Sequence, residues 1–456
     1  MDLRGIKIKQ LFGLFDYNIE LNQENELTIL TGPNGYGKTT VLNIIYNLFN
    51  QRFFYFQKLN FELISFYFAD GKRIDVTKKK ERVKVERSIQ LINNQQEVVS
   101  QNIETVDIHI GLFVENKEIE SFVYNSEAEK KLVMELGKYI PIHKISQNTV
   151  LDSRAGKQFA LKDFLIENIN YLPLKIINII NKQGSAKIGE LLNSINVYII
   201  REERLLTQTR NINQNISFDR TIEKYAEELK KMIAEKQIKA YQITQQLDSS
   251  FPKRLIECKN VLLENDFRER FASLTEKQEQ LQTFGIATTK QDVIKYDSKT
   301  SNVLTVYLED SEKKVSVYDD LLSKIKLFVT ILNEKRFAFK SIEINGSQGF
   351  YFQTNKNQRL DLSDLSSGEQ HEIVLLYELL FKTETNTLIL IDEPEISLHV
   401  MWQKAFIQDL QSIAKMKRIT FLVATHSPQI INDKWDLTRD LFNLANADQV
   451  WETTEA

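Results

Sequence analysis

Cysteine, proline and glycine are all scarce in this 456-residue chain. A single cysteine, Cys258, excludes an intrachain disulfide and a four-cysteine zinc site, and it suits a reducing compartment. Six prolines and fifteen glycines make up about 5% of the residues where roughly 12% is ordinary, which excludes collagen-like and low-complexity chains. That shortage favours long helices and strands over flexible linkers. No stretch reaches the ~18 uncharged apolar residues of a membrane helix, and the opening MDLRGIKIKQLFGLF has no signal-peptide run. Neither charge sign prevails: 59 basic residues meet 62 acidic ones, for a net charge of −3. No global polycation therefore exists to clasp nucleic acid, and any such contact must be local. Together these absences predict a cytoplasmic protein with no membrane partner.

What is present belongs to a globular chain, 42% apolar and 27% charged. At roughly 150 residues per domain it allows about three units, or one large unit with an insertion. Ile6 and Ile8, then Tyr17, Ile19 and Leu21, alternate like strands, and the apolar run Leu27 to Leu30 suits a buried parallel strand. From about Phe53 to Tyr124 the residues read as an antiparallel β lobe, with Lys78 to Arg82 as a solvated hairpin tip. Residues 156 to 195 read as helical, leading to a strand at Val197 to Ile200. Ile222, Tyr225, Leu229 and Met232 form one helical stripe, which Pro252 is expected to interrupt. Further helices are expected over Lys253 to Gln282 and Tyr318 to Asn333. The fold class is therefore α/β, with residues 1–215 and 337–456 as a discontinuous head and 216–336 as a helical, coiled-coil-like insertion.

Gly32 to Thr39 fits G-x-x-x-x-G-K-[ST] after a strand and before a helix, the context that a phosphate-binding P-loop requires. In such a loop the backbone around Asn34, Gly35 and Gly37 cradles phosphate, Lys38 reaches the β/γ-phosphates of ATP, the Thr39 hydroxyl ligates Mg²⁺, and Thr40 follows in the first helical turn. The apolar strand Thr387 to Ile391 ends in Asp392 and Glu393. Asp392 is expected in the Mg²⁺ shell, and Glu393 is expected to polarise the attacking water. Downstream, the apolar run Ile419 to Ala424 is followed by Thr425-His426-Ser427. Ser366-x-x-Glu369 before an apolar helix is also a capping-box signal. Asp433, Asp436, Asp440 and Asp448 lack any strand-end context.

Leu365-Ser366-Ser367-Gly368-Glu369-Gln370, upstream of Asp392, resembles the signature of ABC-type ATPases, and His426 resembles their switch histidine. The resemblance implies that Ser366, Ser367, Gly368 and Glu369 bind the γ-phosphate of ATP seated on another copy, that Lys38, Glu393 and His426 are the catalytic residues, and that Glu395 to His399 form a D-loop at a dimer seam. The Q-loop glutamine is Gln147 or Gln208, and Phe12, Phe15 and Tyr17 compete for the adenine. The motif order resembles the structural-maintenance, RecF and OLD class. A cysteine hook at an arm apex, known in one branch of that class, is excluded by the lone Cys258, and with 30 residues after His426 no nuclease domain is expected.

Within the class, the size and the GPNGYGKTT loop are similar to the ATPase subunits of bacterial anti-phage systems, of PARIS type first and Septu type second. That likeness implies head-to-tail dimers, a higher homo-oligomer such as a hexamer, a separate effector (AriB, a TOPRIM-type nuclease) held in check, and release on sensing a phage trigger protein. A DNA-repair ATPase is the alternative, and nucleic acid stays an open partner. A membrane-transporter subunit is disfavoured by the helical arm.

Overall fold

The computed structural model describes residues 3–90, 96–124, 134–138, 142–144, 149–152, 157–160, 164, 186–200, 206–210, 216–259, 261–286, 294–334, 337, 339–396 and 398–446. The chain forms two compact units. One comprises Met1–Arg201, Glu384–Ile396 and Gln403–Ala456; the other comprises Glu202–Thr383 and Ser397–Trp402. The second unit thus takes in the strands and helix of residues 337–383 together with the helical segment.

The strands in chain order are β1 (Leu3–Leu11), β2 (Phe15–Glu20), β3 (Leu27–Thr31), β4 (Leu63–Phe68), β5 (Lys72–Gln90), β6 (Gln96–Val114), β7 (Lys117–Tyr124), β8 (Ile142–Lys144), β9 (Thr149–Asp152), β10 (Lys157–Ala160) and β11 (Asn196–Ile200). They continue with β12 (Leu206–Arg210), β13 (Ile216–Arg220), β14 (Lys340–Asn345), β15 (Gly349–Thr354), β16 (Arg359–Leu360), β17 (Thr387–Asp392), β18 (Thr420–Ala424) and β19 (Thr438–Asp440).

Among the described residues the first unit contains three sheets, the smallest of them β10-β9-β8. A parallel sheet runs β11-β17-β18-β3-β19, and an antiparallel sheet runs β2-β1-β4-β5-β6-β7. The strands β3, β17 and β18 are continuous apolar runs because a parallel strand is covered on both faces. The helix Lys38–Phe49 buries Val41, Leu42, Ile44, Ile45 and Leu48. These side chains share one core with Ile6, Ile8, Ile64 and Phe66 of the antiparallel sheet and with Leu388, Leu390 and Leu422 of the parallel one. Phe49 adds an edge-on ring contact to Phe66 at 6.0 Å. The expected mixed α/β architecture, with an antiparallel sheet and long helices, is the one observed.

Several local expectations are corrected. Lys78–Arg82 lie within the 19-residue strand β5, not at a hairpin tip, and Lys78 donates to the backbone carbonyls of Gln57 and Leu59. Residues 157–160 form a strand paired with β9 rather than a helix, while 165–185 lie outside the described residues. Residues 216–220 pair with β12 as a hairpin before the long helix begins.

In the second unit the helix Thr221–Glu257 continues through Pro252. Proline removes one helical donor, the N–H that would reach Asp248 O; in the same turn Ser250 Oγ donates to Gln246 O, and Arg254 Nη2 donates to Leu247 O. Arg254 is itself anchored on Asp310 of the helix Ser301–Ser316, an element the sequence pattern did not signal. The helices Glu264–Thr283 and Asp319–Glu334 complete the helical part. Tyr225 stacks on Tyr377 with ring centroids 4.4 Å apart, and its hydroxyl donates to Glu378 at 2.7 Å in the buried interior. Gly349, at φ +78°, opens β15 where a Cβ would come within 1.9 Å of Ala226 O, so the hairpin touches the long helix backbone to backbone. Among the described residues no helix is long and apolar enough to cross a membrane.

Candidate nucleotide site

The C-terminal ends of β17, β18, β3 and β19 lie side by side, with Asp392 in register with Ala424, Ala424 with Leu30, and Asp440 with Thr31. In an open α/β sheet this is the edge where ligands bind. The loop leaving β3 turns through Gly32, Gly35 and Gly37, all at positive φ. Gly37 caps the helix at φ 85°, and a Cβ there would press on Leu11 and Phe12 at 3.2 Å, so both backbone conformation and space require glycine. Asn34 and Gly35 stand exposed at the tip, and Thr40 lies half-buried in the first turn.

Lys38 is 5% exposed and folds back over its own loop, donating to Gly32 O at 2.9 Å and Pro33 O at 3.2 Å. Its Nζ lies 3.3 Å from His426 Nδ1. Burial pulls the Lys38 pKa below the ordinary lysine value, against the opposing pull of Glu393, Asp392, Glu395 and Asp440. Next to it, Thr39 Oγ1 donates to Asp392 Oδ1 at 3.2 Å. A hydroxyl and a carboxylate oxygen are the hard donors that Mg²⁺ prefers. Among the described residues no group of three or more His, Cys, Asp or Glu could hold a metal by itself. An ion here would draw its remaining ligands from phosphate and water, as is usual for Mg²⁺.

Glu393 stands at φ +43°, a left-handed conformation that costs an ordinary residue about 1–2 kcal/mol. Its N–H donates to Ala424 O at 2.9 Å, which helps to hold the turn, and its Oε1 lies 3.4 Å from His426 Nε2. Strain of this kind concentrates at functional sites. His426 follows β18, the strand between β3 and β17, and this strand order carries its ring between the P-loop lysine and Glu393.

Gln403 was not foreseen, and Glu395 was expected only in a D-loop at a dimer seam. Glu395 Oε1 accepts the backbone N–H of His426 at 2.7 Å and of Ser427 at 3.2 Å, fixing the turn that presents the histidine. Gln403 ties the same turn down, its Nε2 donating to Glu395 O at 3.3 Å and its Oε1 accepting from Ser427 Oγ at 2.8 Å. Asp440 is also corrected: it ends β19 beside β3, and its Oδ1 accepts the N–H of Phe442 at 3.0 Å. A three-residue strand has too little pattern to announce itself.

Of the adenine candidates, Tyr17 is buried and donates its hydroxyl to Tyr36 O at 2.7 Å, and Phe15 stacks on both Tyr17 and Tyr36. Phe12 keeps 39% of its surface exposed beside Gly37. Gln208 lies in β12, whereas Gln147 lies outside the described residues.

The Ser366–Gln370 element forms in the second unit. Ser366 is the N-cap of the helix Ser367–Tyr377 in a complete capping box with Glu369, and Ser366 and Ser367 are exposed while Glu369 is buried. The helix runs on into a π-turn at Glu378–Lys382.

The AAA ATPase domain family matches residues 1–431. The chain belongs to that family. No curated protein matches the chain in sequence. Among solved structures, this AAA ATPase domain chain is similar to an Smc head domain with an extended coiled coil, bound to the C-terminal domain of ScpA, from Pyrococcus furiosus. The identity is 12% and the TM-score 0.33, over 94% of this chain and 90% of that one. An SMC head domain from Thermotoga maritima gives 10% identity and a TM-score of 0.32, over 96% and 94% of the two chains. Likenesses this slight do not assign an AAA ATPase domain to the class of those proteins.

Proposed function

We propose that this chain binds and hydrolyses Mg²⁺-ATP and uses the cycle to control a partner. One observation carries the reading: adjacent parallel strands deliver Lys38, Asp392, Glu393 and His426 to a single place, each within 3.4 Å of another polar group of the set or of the P-loop. In this reading Lys38 exchanges the Gly32 and Pro33 carbonyls for phosphate oxygens, Thr39 and Asp392 hold Mg²⁺, and the loop N–H groups and helix N-terminus receive the phosphates. Bound Mg²⁺ supplies charge neutralisation of the phosphates. Glu393 orients the attacking water, and His426 fixes Glu393 relative to Lys38. The exposed N-terminus of the helix Ser367–Tyr377, through Ser366, Ser367 and Gly368, serves the nucleotide of a second copy, which makes the working unit a head-to-tail dimer within a homo-oligomer.

The finer reading places this ATPase in anti-phage defence, similar to AriA of the PARIS system, with a separate effector nuclease such as AriB released on contact with a phage protein. Its support is the motif order and the loop sequence. The test is hydrolysis of ATP by the purified chain, alone and with candidate effectors. Turnover that vanishes in Lys38→Ala, together with effector release on addition of trigger, supports the reading. A chain that neither binds nor hydrolyses ATP refutes its first half, and stimulation by DNA without any effector favours the DNA-repair alternative.

A further inference from the structure

The helix Ser367–Tyr377 carries an internal contradiction if its N-terminus is to meet phosphate. Glu369 sits one turn in, and its Oε2 accepts from Ser366 N at 2.8 Å and from Ser366 Oγ at 3.0 Å. The single hydroxyl proton of Ser366 is thus committed to a carboxylate. A bare carboxylate beside an incoming polyanion repels it. The structure resolves this through a residue outside every motif. Lys340, the first residue of β14, places Nζ 2.9 Å from both Glu369 Oε1 and Glu369 Oε2. The lysine is about a quarter exposed and the glutamate about a tenth, so the pair is shielded from solvent far better than a surface ion pair.

We propose that Lys340 is a positioning residue for the signature serine: by neutralising and holding Glu369, it keeps Ser366 in its capping geometry and permits phosphate to approach the helix N-terminus. The inference rests on the ATPase reading above. Lys340 touches no substrate and acts only through Glu369. The electrostatics agree. Burial raises the Glu369 pKa, yet the hydrogen bond from Lys340, then those from Ser366, and the charge of Lys340 together hold it below the ordinary carboxylate value. Lys340 is the one charged group among those influences. Removing Lys340 takes away two of the influences that lower the Glu369 pKa, so Glu369 takes up a proton at higher pH than in the wild type.

The test is a double-mutant cycle in the full chain, with steady-state ATP hydrolysis, calorimetric ATP binding and thermal melting measured on each protein. Lys340→Met and Lys340→Gln should lower kcat about tenfold while the ATP affinity of the P-loop stays within twofold, the pattern of a lost transition-state contribution. Lys340→Arg should recover most of the loss. In a Glu369→Gln background, Lys340→Met should cost less than twofold further, because no carboxylate remains to neutralise. If the wild type hydrolyses ATP and both Lys340 variants match it, the positioning role is wrong while the ATPase reading stands. If the Lys340 loss is equally large in the Glu369→Gln background, or Lys340→Arg fails to recover, the role through Glu369 is overturned. A wild type without turnover refutes the ATPase reading itself.

Discussion

The imidazole of His426 spans from Lys38 to Glu393, with Nδ1 3.3 Å from the lysine Nζ and Nε2 3.4 Å from Glu393 Oε1. Lysine ammonium can only donate, so Nδ1 accepts and the ring proton sits on Nε2, facing the carboxylate. That tautomer follows from the partners, and it makes His426 the link that tells Glu393 where Lys38 stands. Removing the ring should therefore disturb chemistry more than binding. His426→Ala is expected to lower kcat by about 10²-fold, with KM changed much less; a raised KM at unaltered kcat, in steady-state assays, would assign the histidine to ground-state binding instead.

Lys38 makes a prediction about pH. Its pKa is held below the ordinary lysine value of 10.5 by burial. Phosphate binding needs the protonated form, so ATP affinity should fall as pH rises through this depressed value, earlier than for a solvent-exposed lysine. For stability the sign is opposite: below the depressed pKa, protonated Lys38 disfavours the fold, and that cost fades as pH rises through it. Calorimetric titration from pH 7 to 10 checks the binding half; affinity flat across that range would show that the lysine keeps its ordinary pKa.

Gly349 and Gly71 separate steric from conformational cost. Both sit at φ +78°, but a Cβ at Gly71 meets nothing within 4 Å whereas one at Gly349 runs into Ala226 O. Gly71→Ala should cost about 1–2 kcal/mol, the left-handed penalty alone. Gly349→Ala should cost clearly more, on the order of 3 kcal/mol or above, because the hairpin must move off the helix. Urea unfolding of the pair decides it, and equal costs would mean that the hairpin yields freely.

A composite site predicts complementation. Lys38→Ala and Gly368→Asp chains should each be inactive, and mixing them should restore part of the turnover, since a mixed dimer contains one site with an intact P-loop and an intact opposing signature. No recovery in demonstrated mixed oligomers would place the whole site within one chain.

Much of the site was legible in the sequence because its parts are local. A glycine-rich turn must lie between a buried strand and a helix, and Thr387 to Ile391 could be little else than a covered strand ending in carboxylates. What stayed hidden depends on strands meeting. Glu395 grips the His426 turn only because β17 and β18 are neighbours, and Asp440 reaches the P-loop only through a three-residue strand that follows a 3-10 turn. The helix Ser301–Ser316 escaped notice because its buried positions include Thr305, Asp310 and Ser311, polar residues that blur an apolar stripe. Asp310 is buried as the partner of Arg254, a pairing that periodicity cannot reveal. Pro252 misled because one missing donor does not end a helix that is held elsewhere, here by Arg254 on Asp310.

The most direct test of the proposed chemistry is single-turnover hydrolysis by Glu393→Gln beside the wild type, with Mg²⁺-ATP affinity measured on the same samples. The amide keeps the size of the side chain but cannot accept a proton from water. Affinity within a few-fold of wild type and a rate lower by 10² or more are expected; hydrolysis at the wild-type rate would remove Glu393 from the reaction and, with it, the reading of this strand end as the catalytic centre.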